Sequence, residues 1–597
     1  MKSLRILTEY CLLSARQFSL LLKFLIGFSI CIAIVFIALS IKFNPVFLWG
    51  LLSLIPFAFL TIIIYQKNML QKQIDLLREN WGKENDRKRN FSEIDISYRN
   101  SGFHNKTENI LIDDQTWSDL NMDDIYSSID RTLTNPGECT LYNILRKPVL
   151  SDTILKKRNG IIRFFQNNKE IREQIQIKLL HLGRQKGNGI TSLIYEEIPP
   201  SSSMKFLFSF MALLALISII AVSIFWGATG FILLIFPIYI VNLLTTNKIR
   251  ARLVFKLNAI RYLGSMVRIA KSISVIESPE LKEYCEKLKK AAFATEKIAR
   301  KTFLLFPENS ISSDAITLLY SHIDTYFLRE VRIFYAVLDE MRAHEEDVKS
   351  IYNLIGELDA LQSVASYREG FSGYIEPIFS EKEIMLEIQN AMHPLLTNPV
   401  PNSISIREKG ISITGSNMAG KTTFLRTLGI NALFAQTIYT CFASYYCGNF
   451  FRIISLINEA DNLIEGKSYY LMEAEHLLRM IKASQEDFLT LCLIDEPLGG
   501  TNSAERVIAS FEILRFLFEH NALVITATHD LELAKKLEFG FKSYHFTDDV
   551  DDKGLKFDFK LKEGITSTSN AIKLLKYLKY PEDIINQSMK KLSSDSQ

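Results

Sequence analysis

The stretch ISITGSNMAGKTTFLRTLGINALFAQ, residues 411–436, decides the fold of the C-terminal part of the chain. ISIT, residues 411–414, is rich in β-branched side chains and reads as a short strand, and FLRTLGINALFAQ, residues 424–436, continues as a helix. Between them Gly415, Ser416, Asn417, Met418, Ala419, Gly420, Lys421 and Thr422 spell G-x-x-x-x-G-K-T. Strand, loop and helix in that order form the setting in which such a loop wraps the phosphates of a nucleoside triphosphate. Its glycines let backbone N–H groups turn inward toward phosphate oxygens, and the helix N-terminus adds partial positive charge. Lys421 is expected to bridge the β- and γ-phosphates and Thr422 to ligate Mg²⁺, with Thr423 next to them in the nucleotide-binding stretch.

Two further strands converge on this loop. FLTLCLI, residues 488–494, delivers Asp495 and Glu496. Adjacent carboxylates at a strand end suit two tasks: Asp495 in the Mg²⁺ shell, and Glu496 orienting or deprotonating the attacking water. ALVITAT, residues 522–528, delivers His529, placed to sense the γ-phosphate, because ligands in such folds bind at the carboxyl ends of strands. Strands and helices begin to alternate near Pro377, so the expectation is a C-terminal α/β nucleotide-binding domain.

Outward from there the chain changes character. It has 597 residues, too many for one core, and its 48% hydrophobic content is gathered in blocks. Four apolar runs, Leu20–Ile41, Val46–Tyr65, Phe206–Trp226 and Gly230–Thr246, have the length of bilayer-crossing helices. The first is too long for a secretory signal and a second follows it at once, so it is read as an anchor. Lys2, Arg5, Arg16 and Lys23 precede the first run, Lys67, Lys72, Arg78 and Lys83 follow the second, and Lys248, Arg250, Arg252 and Lys256 follow the fourth. The hairpin tips KFNP and WGATG are nearly uncharged, which places both termini and the nucleotide domain in the cytoplasm of a multi-pass cell-membrane protein. No Asp or Glu interrupts these runs, which favours anchoring over translocation. A net charge of +3 decides nothing about partners, and seven cysteines without a C-x-x-C pair give neither a zinc site nor a disulfide framework.

The expected architecture is therefore multidomain α and α/β. It comprises a cytoplasmic N-terminus (1–19), transmembrane hairpins at 20–65 and 206–246, a charged linker (66–115), a helical core and lever split into 116–205 and 247–375, and a P-loop ATPase domain (376–597). GKENDRKRN, residues 82–90, reads as a solvated topology determinant. The apolar stripe through Val331, Phe334, Leu338, Met341, Val348, Ile351, Ile355, Leu358 and Leu361, with no proline from Ser310 to Glu369, predicts one long lever helix.

Taken together these residues resemble the MutS family of DNA mismatch-repair ATPases, relatives of the ABC-type ATPases. TGSNMAGKTTFLR is similar to the family's phosphate loop, EGKSYYLMEAEHL to its GxSxFMxEMxE stretch, LIDEPLGGTNSAE to its Asp-Glu and Gly-rich loop, and TATHDLEL to its histidine switch. IDRTLTNPGECTLYNILRKPV, ELDALQSVASY, MHPLL and FKLKEGITSTSNAIKLLKYLKYPEDII resemble the start of its core, the helix before the ATPase, its His-Pro-Leu opening and its C-terminal ending. The resemblance runs from about Asp119 to Leu592, interrupted by the second apolar hairpin. It implies ATP and Mg²⁺ as cofactors, a homodimer with facing ATPase domains in which Ser468 reaches the partner's nucleotide, and DNA as a bound partner. The chain departs from the family in showing neither the mismatch-reading N-terminal domain nor the clamp insertion, and in having Pro497, Leu498 and Gly499 after Glu496. The letters FSE at Phe91 match the family's wedge by coincidence. Two functions are expected on this basis: a membrane-anchored MutS-like ATPase that binds DNA, or a membrane mechanoenzyme that turns the same cycle on a protein or lipid partner.

Overall fold

The computed structural model describes residues 32–37, 39, 41–42, 54–101, 110–185, 187, 189–196, 202–303, 305, 314–371, 373–380, 383–416, 419–457, 469–499, 503–551, 554–565, 577–578 and 580–595. Asn417, Met418 and Ser468 lie outside the described residues. The architecture is mostly helical with two mixed sheets. Helices α1 (Leu54–Asn80), α2 (Phe91–Asn100), α3 (Asp114–Asp119), α4 (Met122–Ile129), α5 (Asn135–Arg146), α6 (Asp152–Asn167), α7 (Lys169–Leu182) and α8 (Gly189–Tyr195) come first. The second apolar segment follows as α9 (Ser202–Ala221) and α10 (Phe236–Ile273), joined through helical turns that include π-helical Val222–Trp226 and Phe231–Ile235. Then come α11 (Lys282–Ala294), α12 (Glu296–Phe303), α13 (Asp314–Phe327), α14 (Arg329–Ala343) and α15 (Glu345–Glu369).

The hub of the helical part is the contact of α5 with α15. The two backbones approach so closely that a Cβ added at Gly137 would lie 2.1 Å from the Asp359 carboxylate, and one at Gly356 would lie 2.2 Å from Thr140 Oγ1. Asp359 is fully buried and accepts hydrogen bonds from Leu133 N, Thr134 N, Thr134 Oγ1 and Gln362 Nε2, which ties α15 to the start of α5.

Two expectations change here. The long lever helix is three helices, broken at Leu328, whose φ is +49°, and at His344. Leu328 is buried with Val331 against Phe208 of α9, so tertiary packing holds it in a conformation that leucine disfavours. The second break is followed by Glu345, Glu346 and Asp347, carboxylates that suit a new helix N-terminus. The stretch read as a solvated linker is likewise built into the core. α1 runs on past Tyr65 to Asn80, Arg87 pairs with Asp130 and Glu138, and Arg89 reaches Asp130 at 3.3 Å. Asp130 is wholly buried; burial raises its carboxyl, but Arg184 and Arg87 outweigh that and hold it below its usual value. Phe91 opens α2 and packs edge-on against Tyr126, a half-buried side chain lying against the core.

Among the described residues two helices, Met204–Ile224 and Phe231–Ala251, are long and apolar enough to cross a membrane. They display Phe206, Ile224 and Leu233 at 77%, 65% and 68% exposure, while Ser218, Asn242 and Thr246 are buried. Ser218 Oγ meets Tyr326 Oη at 2.7 Å, and Asn242 Nδ2 donates to the Tyr326 carbonyl at 2.6 Å, satisfying a backbone acceptor at the end of α13. At the base, Arg250 bonds Glu330 at 2.7 Å and Arg261 pairs with the same carboxylate. Of the expected first pair of spans, residues 20–31, 38, 40 and 46–53 lie outside the described residues, while residues 32–37 and α1 are helical.

From Ile378 the chain builds β1 (Ile378–Phe379), β2 (Leu386–Ala391), β3 (Asn402–Ile406), β4 (Gly410–Thr414), α16 (Lys421–Thr437), β5 (Tyr445–Gly448), β6 (Arg452–Leu456), α17 (Tyr469–Ser484), β7 (Thr490–Asp495), α18 (Ser503–Glu519), β8 (Ala522–Thr528), α19 (Leu531–Leu537), β9 (Phe541–Asp551), β10 (Gly554–Glu563) and α20 (Glu582–Asp595). The smaller sheet has the order β1-β5-β2-β3, and the larger one β10-β9-β4-β8-β7-β6 with only the β10–β9 pair antiparallel. The residues of β4, β7 and β8 are buried throughout, as in a parallel sheet covered on both faces. One apolar core runs from the α5–α15 hub through α16 into this sheet.

Candidate functional site

β4, β8 and β7 lie side by side in parallel register, with Thr414 opposite Thr528 and Asp495 opposite Ala527. Their carboxyl ends therefore open at one place. Gly415 adopts φ +141°, and a Cβ there would lie 2.8 Å from the Phe546 carbonyl; Gly420 adopts φ +105°. Both positions need glycine, since the first allows no side chain and both lie where L-residues are strained. Lys421 opens α16, is 1% exposed, and donates to the Gly415 carbonyl at 2.5 Å. Its ammonium stands 3.5 Å from Glu496 Oε1.

The two carboxylates part as adjacent residues leaving a strand must. Asp495 Oδ2 accepts Thr422 Oγ1 at 2.5 Å. Burial, reinforced by neighbouring Glu496, raises its carboxyl above the usual range despite the Thr422 hydrogen bond. Glu496 turns toward β8, where it accepts His529 N at 2.9 Å and Thr528 Oγ1 at 3.2 Å and lies 2.7 Å from His529 Nδ1. Glu496 and Leu498 both have positive φ, at 49° and 56°. Such strain persists only where surroundings over-determine it. Here Glu496 N donates to the Ala527 carbonyl at 2.9 Å, Ser510 Oγ to the Pro497 carbonyl at 3.0 Å, and Gly499 N to Glu473 Oε1 at 3.1 Å. Leu498 is buried in the core beneath α17 and α18, which accounts for the unusual Pro497-Leu498-Gly499 turn.

The structure thus brings Gly415, Ser416, Ala419, Gly420, Lys421, Thr422, Thr423, Asp495, Glu496 and His529 to one strand-end cluster. Ser416 Oγ is buried with no hydrogen-bond partner among the described residues. Among the described residues no group of three or more His, Cys, Asp or Glu side chains forms a self-sufficient metal cage. One hydroxyl bonded to one carboxylate is a donor set that fits Mg²⁺ completed by substrate phosphates and water. Three further residues near the site, each inside a stretch that resembles the family, are not marked as site residues by residue type or spacing. Phe559, at φ +52° in a bulged part of β10, brings its ring to 3.3 Å from where a Gly420 Cβ would stand. Glu473, 2% exposed on α17, holds Gly499, and Arg426 of α16 donates to the Asp119 carbonyl at 2.7 Å. His393 of the MHPLL stretch is buried; burial, with Arg426 adding to it, pushes its imidazole down to about 4.

A phosphate loop between a central parallel strand and a helix, with carboxylates at the neighbouring strand end, defines a P-loop nucleotide-binding domain of the α/β class. Comparison with known proteins narrows this. Residues 411–594 match the family profile MutS domain V. DNA mismatch repair protein MutS of Thermus aquaticus is 28% identical over 261 residues, covering 43% of this chain and 31% of that protein. The MutS proteins of Thermotoga maritima and Staphylococcus haemolyticus are 29% and 26% identical, each over 43% of this chain and over 33% and 30% of their own lengths. The C-terminal region is MutS-like, and the chain spans between 30% and 33% of the length of these curated relatives.

Proposed function

We propose that this chain is a membrane-anchored, MutS-like dimeric ATPase, with its termini and ATPase domain on the cytoplasmic side, that engages DNA. The observation that carries the ATPase part is the junction at the ends of β4, β7 and β8, where Lys421, Thr422, Asp495, Glu496 and His529 converge. Lys421 and the backbone N–H groups at the start of α16 receive the phosphates. Thr422 and Asp495 would hold Mg²⁺, which when bound would offset phosphate charge. Glu496, oriented by Thr528 and His529, takes a proton from the attacking water, and His529 reports the presence of the γ-phosphate to β8. Ser468 completes the partner's site by family resemblance.

Membrane anchoring is supported by the exposed apolar residues of α9 and α10, a surface far more apolar than a water-facing helix pair carries. DNA engagement is supported by the similarity to MutS alone, since fold and engine do not fix the cargo. The direct docking of the hairpin on α13 and α14 favours a second reading, in which the cycle acts on a protein or lipid partner instead.

ATP turnover of the detergent-solubilised protein, measured with duplex DNA, branched DNA or vesicles present, separates the two. Stimulation by DNA, with binding that weakens steeply as salt rises, supports the first reading. Stimulation by vesicles alone selects the second. Lys421→Ala removes a charge-assisted phosphate contact of about 3 kcal/mol, or ~100-fold in nucleotide affinity. Unchanged affinity in that variant sinks the ATP site itself.

A further inference from the structure

A short stretch of the helical core, Asp113 to Leu120, touches three separate parts of the nucleotide domain. The Asp119 side chain is fully buried. Its Oδ2 accepts Ser455 Oγ at 2.7 Å and Ile457 N at 2.9 Å, both at the end of β6, while Oδ1 accepts Gln115 Nε2 at 2.6 Å. Its carbonyl takes the Arg426 Nε bond from the phosphate-loop helix at 2.7 Å. Thr116 Oγ1 accepts Ser455 N at 3.2 Å. Leu120 presses on the same helix, where a Cβ at Gly429 would lie 2.8 Å from Leu120 Cδ2. At the other end Asp113, which caps α3 by accepting Thr116 N at 2.8 Å, pairs with Arg479 of α17.

The opposite side of the stretch is fastened to the core. The Trp117 ring lies 4.7 Å from Tyr142 and 4.2 Å from the Arg146 guanidinium, and its indole N–H donates to Asp123 at 2.7 Å. A buried carboxylate whose partners sit on different elements resists sliding, because a shift of about 1 Å breaks hydrogen bonds that nothing else replaces. Motion of α16 or β6 is thus passed to α3, and from α3 to α5.

We propose that Asp113–Leu120 couples the nucleotide site to the helical core, with Asp119 as a positioning residue that keeps the phosphate-loop helix and β6 in register. Asp119 touches no substrate; it acts through Ser455, Ile457 and Arg426. The proposal rests on the ATPase reading above.

The test uses the full-length protein in detergent with Trp49, Trp81 and Trp226 changed to Phe, so that Trp117 is the only tryptophan. ATP binding is followed by calorimetry, turnover by phosphate release, and the core by Trp117 emission. Magnesium ATP is expected to change that emission. In Asp119→Ala the change is lost and kcat falls at least tenfold, with ATP affinity within about threefold of the parent. Asp119→Asn recovers most of both, since its carbonyl still accepts from Ser455 and Ile457 and the Gln115 amide turns to match. Ser455→Ala, which removes one bond of the set, is the second variant should Asp119→Ala fail to fold, and it is expected to give an intermediate loss. A folded Asp119→Ala, or Ser455→Ala in its place, with kcat within twofold of the parent and an intact Trp117 response overturns the proposal, whatever its melting temperature. A parent protein that turns over ATP with a silent Trp117 overturns the coupling alone, whereas one that binds no nucleotide overturns the ATPase reading and this proposal with it.

Discussion

Glu496 stands in a backbone conformation that an L-residue avoids, with its carboxylate held by His529 N and Thr528 Oγ1 and its own N–H by Ala527. A side chain fixed this way is suited to positioning a water. Glu496→Gln keeps a hydrogen-bond acceptor and loses the base, so kcat is expected to fall by about 10²- to 10⁴-fold with ATP affinity retained. Single-turnover hydrolysis beside nucleotide binding checks this, and light scattering should show the variant held as the ATP-bound dimer; undiminished turnover removes Glu496 from the role of base. His393 offers a different test. Its imidazole sits at about 4 in the fold against an unperturbed value near 6.5, and Leu395 N donates to its Nδ1. The folded value is depressed, so its contribution is complete above pH 6.5 and is lost as pH falls toward 4, up to ~3 kcal/mol. His393→Asn, which keeps an acceptor and does not titrate, is expected to flatten the pH dependence of Tm across that window; equal slopes for both proteins count against it. Asp495, Glu496 and His529 were legible in the sequence because each stands at the end of a short apolar run that reads as a strand, and Lys421 because it closes the G-x-x-x-x-G-K-T loop after one. Asp119 was not legible as a link, since one acidic residue in a helical stretch looks like any other until Ser455 and Arg426, hundreds of positions away in the chain, are placed; Glu473 lies in a family-like stretch, but its bond to Gly499 shows only in the fold.

Helix breaks and helix crossings are where sequence reading and structure part. The stripe from Val331 to Leu361 keeps its period through His344 because the break preserves the buried face: Met341 and Val348 on either side both enter the main core. No proline or glycine marks the break, so periodicity alone predicts a continuous helix. Similarly, the charges of GKENDRKRN look solvated until the buried Asp130 is set beside Arg87 and Arg89. The α5–α15 crossing yields a paired prediction. Gly137→Ala drives a methyl into the Asp359 carboxylate and its bonds to Leu133 and Thr134, costing about 1–3 kcal/mol through overpacking. Gly160, exposed on α6, has nothing within 4 Å of its added Cβ, so Gly160→Ala is expected to stabilise by about 0.5–1 kcal/mol through helix propensity alone. Denaturant unfolding of the two variants measures both, and a Gly137→Ala as stable as the parent would mean that the two helices do not pack this closely.

Across the whole molecule, the phosphate-loop helix is gripped from the core at both ends. Arg426 meets Asp119 near its start, and Arg368 of α15, fully buried, donates to the Ile438 and Tyr439 carbonyls just past its end at 2.9 and 3.0 Å. α15 leads back to the α5 hub, while α10 runs unbroken from the apolar hairpin down to Ile273 inside the same core. A rotation of the phosphate-loop helix thus has a packed route to the hairpin base, where Arg250 and Arg261 bracket Glu330. That route acts on a bilayer only if the tip of the hairpin lies on the far side from the ATP site. Thr229, at the tip, and Lys282, on α11, are both exposed, and the five cysteines among the described residues are all buried. With Cys11 and Cys31 replaced by serine, Thr229→Cys in intact cells is expected to react with a membrane-impermeant maleimide, and Lys282→Cys only after permeabilisation. Labelling of Lys282→Cys alone from outside would invert the topology. Labelling of neither before permeabilisation and both after would place the hairpin wholly on the cytoplasmic side, leaving its exposed Phe206, Ile224 and Leu233 to be covered by protein instead of lipid.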